Sequence, residues 1–225
     1  MPGGIYHVRP RFVARDFIID SAVERAAYLM LLARALVKTD WVCFAYAAMS
    51  SHVHLALVAG TMPLRAWMRP MHNLFADWIN ERRQRIGAVF VRGPEVTEVA
   101  PNGVSTLINY IHRNPVNAGV VASPEESDWT SHRAYVGRAA TPPWLDVDAG
   151  LALGDFADRS EFAAWAAVTR TSREDVEAAS AMAGLERGRP ACMPMRRHDA
   201  ARLLESVRRG VPAGSVRLEE LEARR

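Results

Sequence analysis

Met49-Ser50-Ser51-His52-Val53-His54-Leu55 is the stretch on which the reading of this chain turns. From His52 onward, Val53, Leu55 and Leu57 alternate with His52, His54 and Ala56. That is the period-two pattern of a half-buried β-strand, whose successive side chains point to opposite faces. The apolar set can enter a core while the two imidazoles stay together on the other face. The apolar run 41–49 precedes it, and Ser50-Ser51 is a tight turn, so the pair reads as a hairpin. Two histidines so placed either converge on one metal ion, a common use of imidazole, or are two polar residues on the wet face of a strand.

Working outward, residues 4–9 read as a strand. Ser21-Ala22-Val23-Glu24 has the spacing of a capping box and opens a helix through about Lys38. Pro63 starts a second helix that runs to about Ile86, with apolar faces from Trp67, Leu74, Phe75 and Trp78. Pro70 falls inside it, so a kink or a break is expected. Residues 89–92, with or without 96–99, supply a fourth strand. The order β-α-β-β-α-β is the split βαβ, ferredoxin-like arrangement of an α+β protein. It is an antiparallel sheet with helices on one face, its first and third strands central neighbours and its other face left for a site.

A second motif follows this core: Leu107-Ile108-Asn109-Tyr110-Ile111-His112-Arg113-Asn114-Pro115-Val116-Asn117-Ala118-Gly119. Val104, Leu107, Ile108 and Ile111 recur at helical spacing, and Asn102 or Ser105 is placed to cap the helix. Pro115 disfavours α geometry at Asn114 and is expected to end the helix nearby, and Gly119 adds a later break. Tyr110, Arg113 and Asn114, three and four apart, share a helix face, while His112 points away from it. By itself such a segment is a short amphipathic helix with a tyrosine at the core margin.

Together the two motifs resemble the HUH single-tyrosine transposases, and most closely the branch called REP-associated tyrosine transposases. Two further segments match in order and spacing. Gly4-Ile5-Tyr6-His7-Val8-Arg9-Pro10-Arg11 is similar to that family's opening strand, and Trp129-Thr130-Ser131-His132-Arg133-Ala134-Tyr135-Val136-Gly137 to its closing segment. The resemblance covers roughly residues 4–137. His-x-His alone is weakly specific, whereas all four elements in this order are strongly specific.

The resemblance implies roles by position. His52 and His54 would be metal ligands, Asn114 the third protein ligand, and Tyr110 the nucleophile. The cofactor would be a divalent cation, Mg²⁺ or Mn²⁺, and the partner single-stranded or hairpin DNA. Some relatives swap the tyrosine helix between protomers and others act as monomers, so a monomer or a homodimer is expected. Ser50-Ser51 stands where the family often has Pro-Asn, a change expected to matter little to metal geometry. The segment Val89-Phe90-Val91-Arg92-Gly93-Pro94 matches the family's Phe-Gln-x-Arg-Phe pattern only loosely. His7, Arg9, Arg11, Arg92 and Arg113 are candidate DNA contacts. His7, on a strand beside that of His52 and His54, would join the metal, orient a ligand, touch phosphate, or be a satisfied structural histidine.

These residue types suit phosphodiester cleavage. A divalent cation neutralises charge that develops on the scissile phosphate and orients it for in-line attack. Imidazole and amide ligands serve that purpose when coordination positions stay open for phosphate and water. A tyrosine nucleophile conserves the phosphodiester bond energy in a covalent intermediate. Attack by Tyr110 would leave a 5′-phosphotyrosine and a free 3′-hydroxyl, and reversal would join strands without ATP. A phenol, with a pKa near 10, needs help to ionise, and no general base stands out. Two other functions are weighed: a DNA-binding regulator that keeps the fold but does not cleave, and a small-molecule metallohydrolase. The second lacks a His-Glu-x-x-His or comparable carboxylate motif.

Composition fits a folded DNA-binding protein. The 225 residues are 49% hydrophobic, which supports a sizeable core and argues against general disorder. Two cysteines, Cys43 and Cys192, argue against a disulfide framework, and a cytoplasmic location is expected. No apolar run reaches the length of a membrane span, and the N-terminus has no signal-peptide core. The net charge is only +3, yet Lys38 is the sole lysine and the other basic residues are arginine. Arginine binds phosphate bidentately and stacks on bases. The clusters Arg82-Arg83-Arg85, Arg196-Arg197 and Arg208-Arg209 are read as solvated helix faces that permit, without demanding, nucleic-acid binding.

The chain is divided into a catalytic domain, 1–145, and a helical C-terminal extension, 146–225, with a DNA-binding or packing role. In the extension Ser160 is expected to cap a helix over 161–168, and Thr171-Ser172-Arg173-Glu174 to open another toward Ala183. Residues 184–194 read as a loop, Asp199 as the cap of 200–209, and 217–225 as a charged helix. A helix–turn–helix between Ser172 and Arg209 is a weak signal.

Overall fold

The computed structural model describes residues 2–183. The sequence expectations for Cys192, for the two distal arginine pairs, for the helices 200–209 and 217–225 and for the helix–turn–helix lie, wholly or in part, outside the described residues. Four strands, β1 (Ile5–Arg9), β2 (Val42–Met49), β3 (His52–Val58) and β4 (Glu95–Glu98), form one antiparallel sheet in the order β2-β3-β1-β4. This is the ferredoxin-like arrangement, with β1 and β3 central. The register places His7 opposite Ala56, and His54 opposite Ala47. His7 and His54 therefore share a face, and Val8, Val53, Leu55 and Leu57 share the other.

Helices α1 (Ala22–Leu36) and α2 (Leu64–Arg82) pack together as the helical layer. The capping box forms: Ser21 Oγ accepts from the Glu24 N–H at 3.3 Å, and Glu24 Oε2 accepts from the Ser21 N–H at 2.9 Å. Glu24 is buried and also receives Arg83, 2.6 Å from Nε, so one member of the 82–85 cluster ties α2 to the start of α1 instead of facing solvent. Pro70 does not break α2. It lies on the exposed side, where water can satisfy the carbonyl that its missing N–H leaves open. The helix stops at Arg82, short of Ile86, because Gln84 and Gly87 take positive φ.

Three further expectations need correction. Residues 89–92 are not the fourth strand, which forms instead over Glu95–Glu98 and so overlaps the second expected segment, 96–99. Residues 89–92 pair with the segment after β1, through Val13 N–H to Val89 O and Val91 N–H to Arg11 O, and turn at Gly93 (φ 77°) into β4. The tyrosine-bearing helix α3 (Val104–Asn117) begins after Gly103, with no side-chain cap from Asn102 or Ser105. It also continues through Pro115. That proline is buried one turn from the end, and the exit is closed by Gly119 at φ 70°, whose N–H bonds Val116 O, and by Val120 N–H to Pro115 O. The ring thus costs little where the helix is already ending.

After α3 come α4 (His132–Tyr135), α5 (Val147–Leu153), α6 (Arg159–Val168) and α7 (Arg173–Ala183). Asp158, not Ser160, caps α6, its carboxylate accepting from the Ser160 and Glu161 N–H groups. Helix α7 opens as expected, with Ser172 Oγ accepting from Asp175 N–H at 3.2 Å. These elements share the core of the sheet: Leu151, Phe162 and Val176 belong to the same buried cluster as Leu55 and Ile108. Thr130 and Leu145 each bridge to β2, which covers that edge of the sheet. Among the described residues no helix is long and apolar enough to cross a membrane.

Candidate active site

The alternation of β3 puts His52 and His54 on one face, and β1 brings His7 beside them. His52 Nε2 and His54 Nε2 are 2.8 Å apart, and His7 Nε2 lies 2.8 Å from His54 Nδ1. The His7 and His54 rings stack at 5.1 Å. Helix α3 lies over this face and sets Tyr110 edge-on to His54, with ring centroids 5.6 Å apart, and to His7 at 6.1 Å. Asn114, one turn later, reaches toward His54 with its side chain, and its Nδ2 donates to the Tyr110 carbonyl at 2.8 Å. The structure thus brings together His7, His52, His54, Tyr110 and Asn114 within one chain. The histidine face is not open: His54 is fully buried and Tyr110 is 8% exposed. His52 is the histidine at the mouth.

Burial is the first cause of low basicity here. His7 is pushed down to about 4 by desolvation, then by the Arg9 charge, and His52 to about 4 by desolvation, then by Arg9 and Arg11. His54 is held well below the ordinary value by desolvation and then by its two histidine neighbours. All three rings are therefore neutral at pH 7, the form in which imidazole offers a lone pair to a cation.

The donor set fits a divalent cation. Two nitrogens bound to one ion at about 2.1 Å and near right angles stand about 3 Å apart, close to the spacing of His52 Nε2 and His54 Nε2. The Asn114 amide adds a hard oxygen beside them, and two imidazoles with one amide leave positions for water and phosphate. Among the described residues no group of three or more His, Cys, Asp or Glu is arranged to hold a metal ion. Any cation here therefore depends on the amide and on the substrate for its remaining ligands.

The arginines divide into groups. Arg9 pairs with Glu95, with Nε 2.8 Å from Oε2, and Arg11 reaches the same carboxylate at 2.8 Å. Arg11 also bridges to His52 through the backbone, so this cluster borders the site. Arg92 is exposed in the turn before β4. Arg113 is 8% exposed, and burial, then Arg170, lowers its basicity, with Glu125 opposing. Its charge acts on His132, and not on His7, His52 or His54. His112 lies on the far side of α3, where its Nε2 is 2.7 Å from Ser131 Oγ. Sequence reasoning missed Glu95, which the Arg9–Glu95 cross-strand register would have suggested had β4 been placed correctly. For the extension it offered packing as one of two roles without naming partners; α7 packs on α3 and β4.

No family model and no curated protein matches the chain. Among solved structures the chain is similar to a REP-associated tyrosine transposase bound to a REP hairpin, with a TM-score of 0.50 and 14% identity over 65% of this chain and 88% of that one. At that identity the likeness is one of fold, and it agrees with the α+β architecture described above.

Proposed function

We propose that this protein is a metal-dependent transesterase that cuts and rejoins single-stranded DNA beside a hairpin, through a 5′-phosphotyrosine intermediate. The observation that carries this reading is the meeting of His52, His54, Asn114 and Tyr110. They come from two motifs far apart in sequence, and nothing in the packing of a plain ferredoxin-like domain requires them to meet. The family resemblance of those motifs, and a fold shared with a transposase solved on a hairpin, support it.

His52 and His54, with Asn114, would hold Mg²⁺ or Mn²⁺. When bound, the cation supplies charge neutralisation at the scissile phosphate. The remaining work belongs to the chain. Tyr110 Oη attacks phosphorus, the Oη–P bond forms as the P–O3′ bond breaks, the phenol proton is released, and the 3′ oxygen takes up a proton to leave as a hydroxyl. Attack in reverse by a 3′-hydroxyl restores the phenol and joins the strands. Helix α3 holds Tyr110 against His54, so the nucleophile and the metal site keep a fixed relation. Arg9 and Arg11, at the His52 side, bind backbone phosphates of the entering strand, and Arg92 extends that contact.

The test is a covalent-adduct assay. Labelled single-stranded hairpin DNA is incubated with the protein and Mn²⁺, then run on a denaturing gel. Label should migrate with the protein, and the adduct should disappear in Tyr110→Phe and in His52→Ala. Hairpin binding without any adduct in the unaltered protein would instead point to a non-cleaving regulator.

A further inference from the structure

Imidazole coordinates a cation through a ring nitrogen that carries no proton, so a histidine ligand must be held in one tautomer. A partner on the other ring nitrogen usually does this. Both His52 and His54 have such a partner. The Nδ1 of His52 lies 2.9 Å from Ser51 Oγ, and the Nδ1 of His54 lies 2.8 Å from His7 Nε2. Their Nε2 atoms lie 2.8 Å apart, close to the spacing of two nitrogens that share one cation at near right angles.

We infer that Ser51 and His7 are the positioning residues of the metal site: His52 Nδ1–H donates to Ser51 Oγ, His54 Nδ1–H donates to His7 Nε2, and both Nε2 lone pairs are thereby turned toward one ion. This rests on the metal-binding reading of the site above. It gives Ser51 a role that the Ser50-Ser51 turn was not expected to have. It assigns His7 to the support of a ligand, because its Nε2 is engaged and its ring is 8% exposed and stacked on His54. With its own proton on Nδ1, His7 can only accept at Nε2, so the direction of the bond fixes the state of both rings. The two supports come from different places, one from the turn that starts β3 and one from neighbouring β1. The site is therefore held from both ends of the histidine pair.

The experiment is Mn²⁺ titration of the full chain by calorimetry and electron paramagnetic resonance, with paired variants that differ only in the acceptor. Ser51→Ala and His7→Leu should weaken Mn²⁺ binding by about tenfold or more, whereas Ser51→Thr and His7→Gln, which keep an acceptor near the same place, should stay within about threefold of the unaltered protein. Nitrogen-detected NMR of the Mg²⁺-loaded protein should show His52 and His54 protonated at Nδ1, with His52→Ala used for assignment. A His7→Leu variant that loses its circular dichroism would leave the comparison to the Ser51 pair and the NMR tautomers. Equal affinity across each pair, or either ring protonated at Nε2, would overturn the inference and leave the metal reading standing. Absence of Mn²⁺ binding by the unaltered protein, with His52→Ala no different, would overturn the metal reading itself.

Discussion

Replacing Gly150 by alanine should destabilise the protein, although helix propensity argues the reverse. Gly150 lies inside α5, whose N-cap Asp146 accepts from the Ala149 N–H, and alanine is favoured over glycine by about 1 kcal/mol at such a position. A Cβ there, however, would fall onto the Tyr135 hydroxyl, 2.9 Å from Cζ and 3.4 Å from Phe44 Cβ. Tyr135 is fully buried, and its hydroxyl donates to the Phe44 carbonyl at 2.6 Å, so it has no free space to enter. An ordinary C···O contact needs roughly 3.3 Å, so the hydroxyl must move by more than an ångström and its hydrogen bond is lost. A broken buried hydrogen bond costs about 1–3 kcal/mol and overpacking about 1–3. Against the propensity gain the net loss is about 3 kcal/mol. In urea unfolding with a slope of about 2 kcal/mol per molar, the midpoint falls by about 1.5 M. The partner variant Tyr135→Phe removes the atom of closest approach and leaves only the lesser contact at Cζ, so the double variant should be more stable than the sum of the single effects predicts, by about 1.5 kcal/mol. Additive losses, or a more stable Gly150→Ala protein, would refute this account of the packing. The consequence reaches the site, because the Tyr135 ring stands 4.9 Å from that of His112 on α3, the helix that carries Tyr110.

Two further outcomes follow from groups on either side of the sheet. His72 is pushed down to about 4 by burial, its Nε2 3.2 Å from the Tyr28 hydroxyl and its ring stacked on Phe90 at 4.0 Å. The unfolded chain protonates it near 6.5, so its contribution is intact above that pH and is lost as pH falls toward 4, with a cost of about 2 kcal/mol at pH 5. Urea midpoints measured from pH 7 to pH 5 should decline less steeply in His72→Phe, and an unchanged slope would count against a neutral buried ring. On the other face, Asn114→Ala removes both the contact to His54 and the bond to the Tyr110 carbonyl. Adduct yield should fall at least about tenfold at limiting Mn²⁺ and recover in part at high Mn²⁺; a loss independent of metal concentration would assign Asn114 to the shape of α3 instead.

The elements legible in the sequence were those whose signals are local. The capping box at Ser21, the alternation after Ser51 and the helical spacing from Val104 each report on one element, and each element formed. What failed depended on a competing tertiary term. Residues 89–92 have the apolar character of a strand, but Phe90 is held against Phe12, Phe75 and His72, so the sheet takes its fourth strand from the polar segment Glu95–Glu98. That strand is specified by its partners: Arg9 and Glu95 face each other in the register and pair through their side chains. Pro115 reads as a stop, yet burial of its ring and the Gly119 exit let α3 run on to Asn117.

The site shows the same division. His52 and His54 needed only the period of one strand, and Tyr110 with Asn114 only the period of one helix. Whether the two pairs meet depends on the sheet order, in which β3 is central and its histidine face lies under α3 instead of at an edge. That same central position gives His54 a neighbour on each side. His7 from β1 lies against the His54 Nδ1, the His52 Nε2 from its own strand stands 2.8 Å from its Nε2, and Asn114 approaches from the helix. A histidine surrounded in this way cannot rotate to find other partners. Burying the polar rings of His7 and His54 costs desolvation that a purely apolar core would avoid, and that cost is what the proposed cation site accounts for.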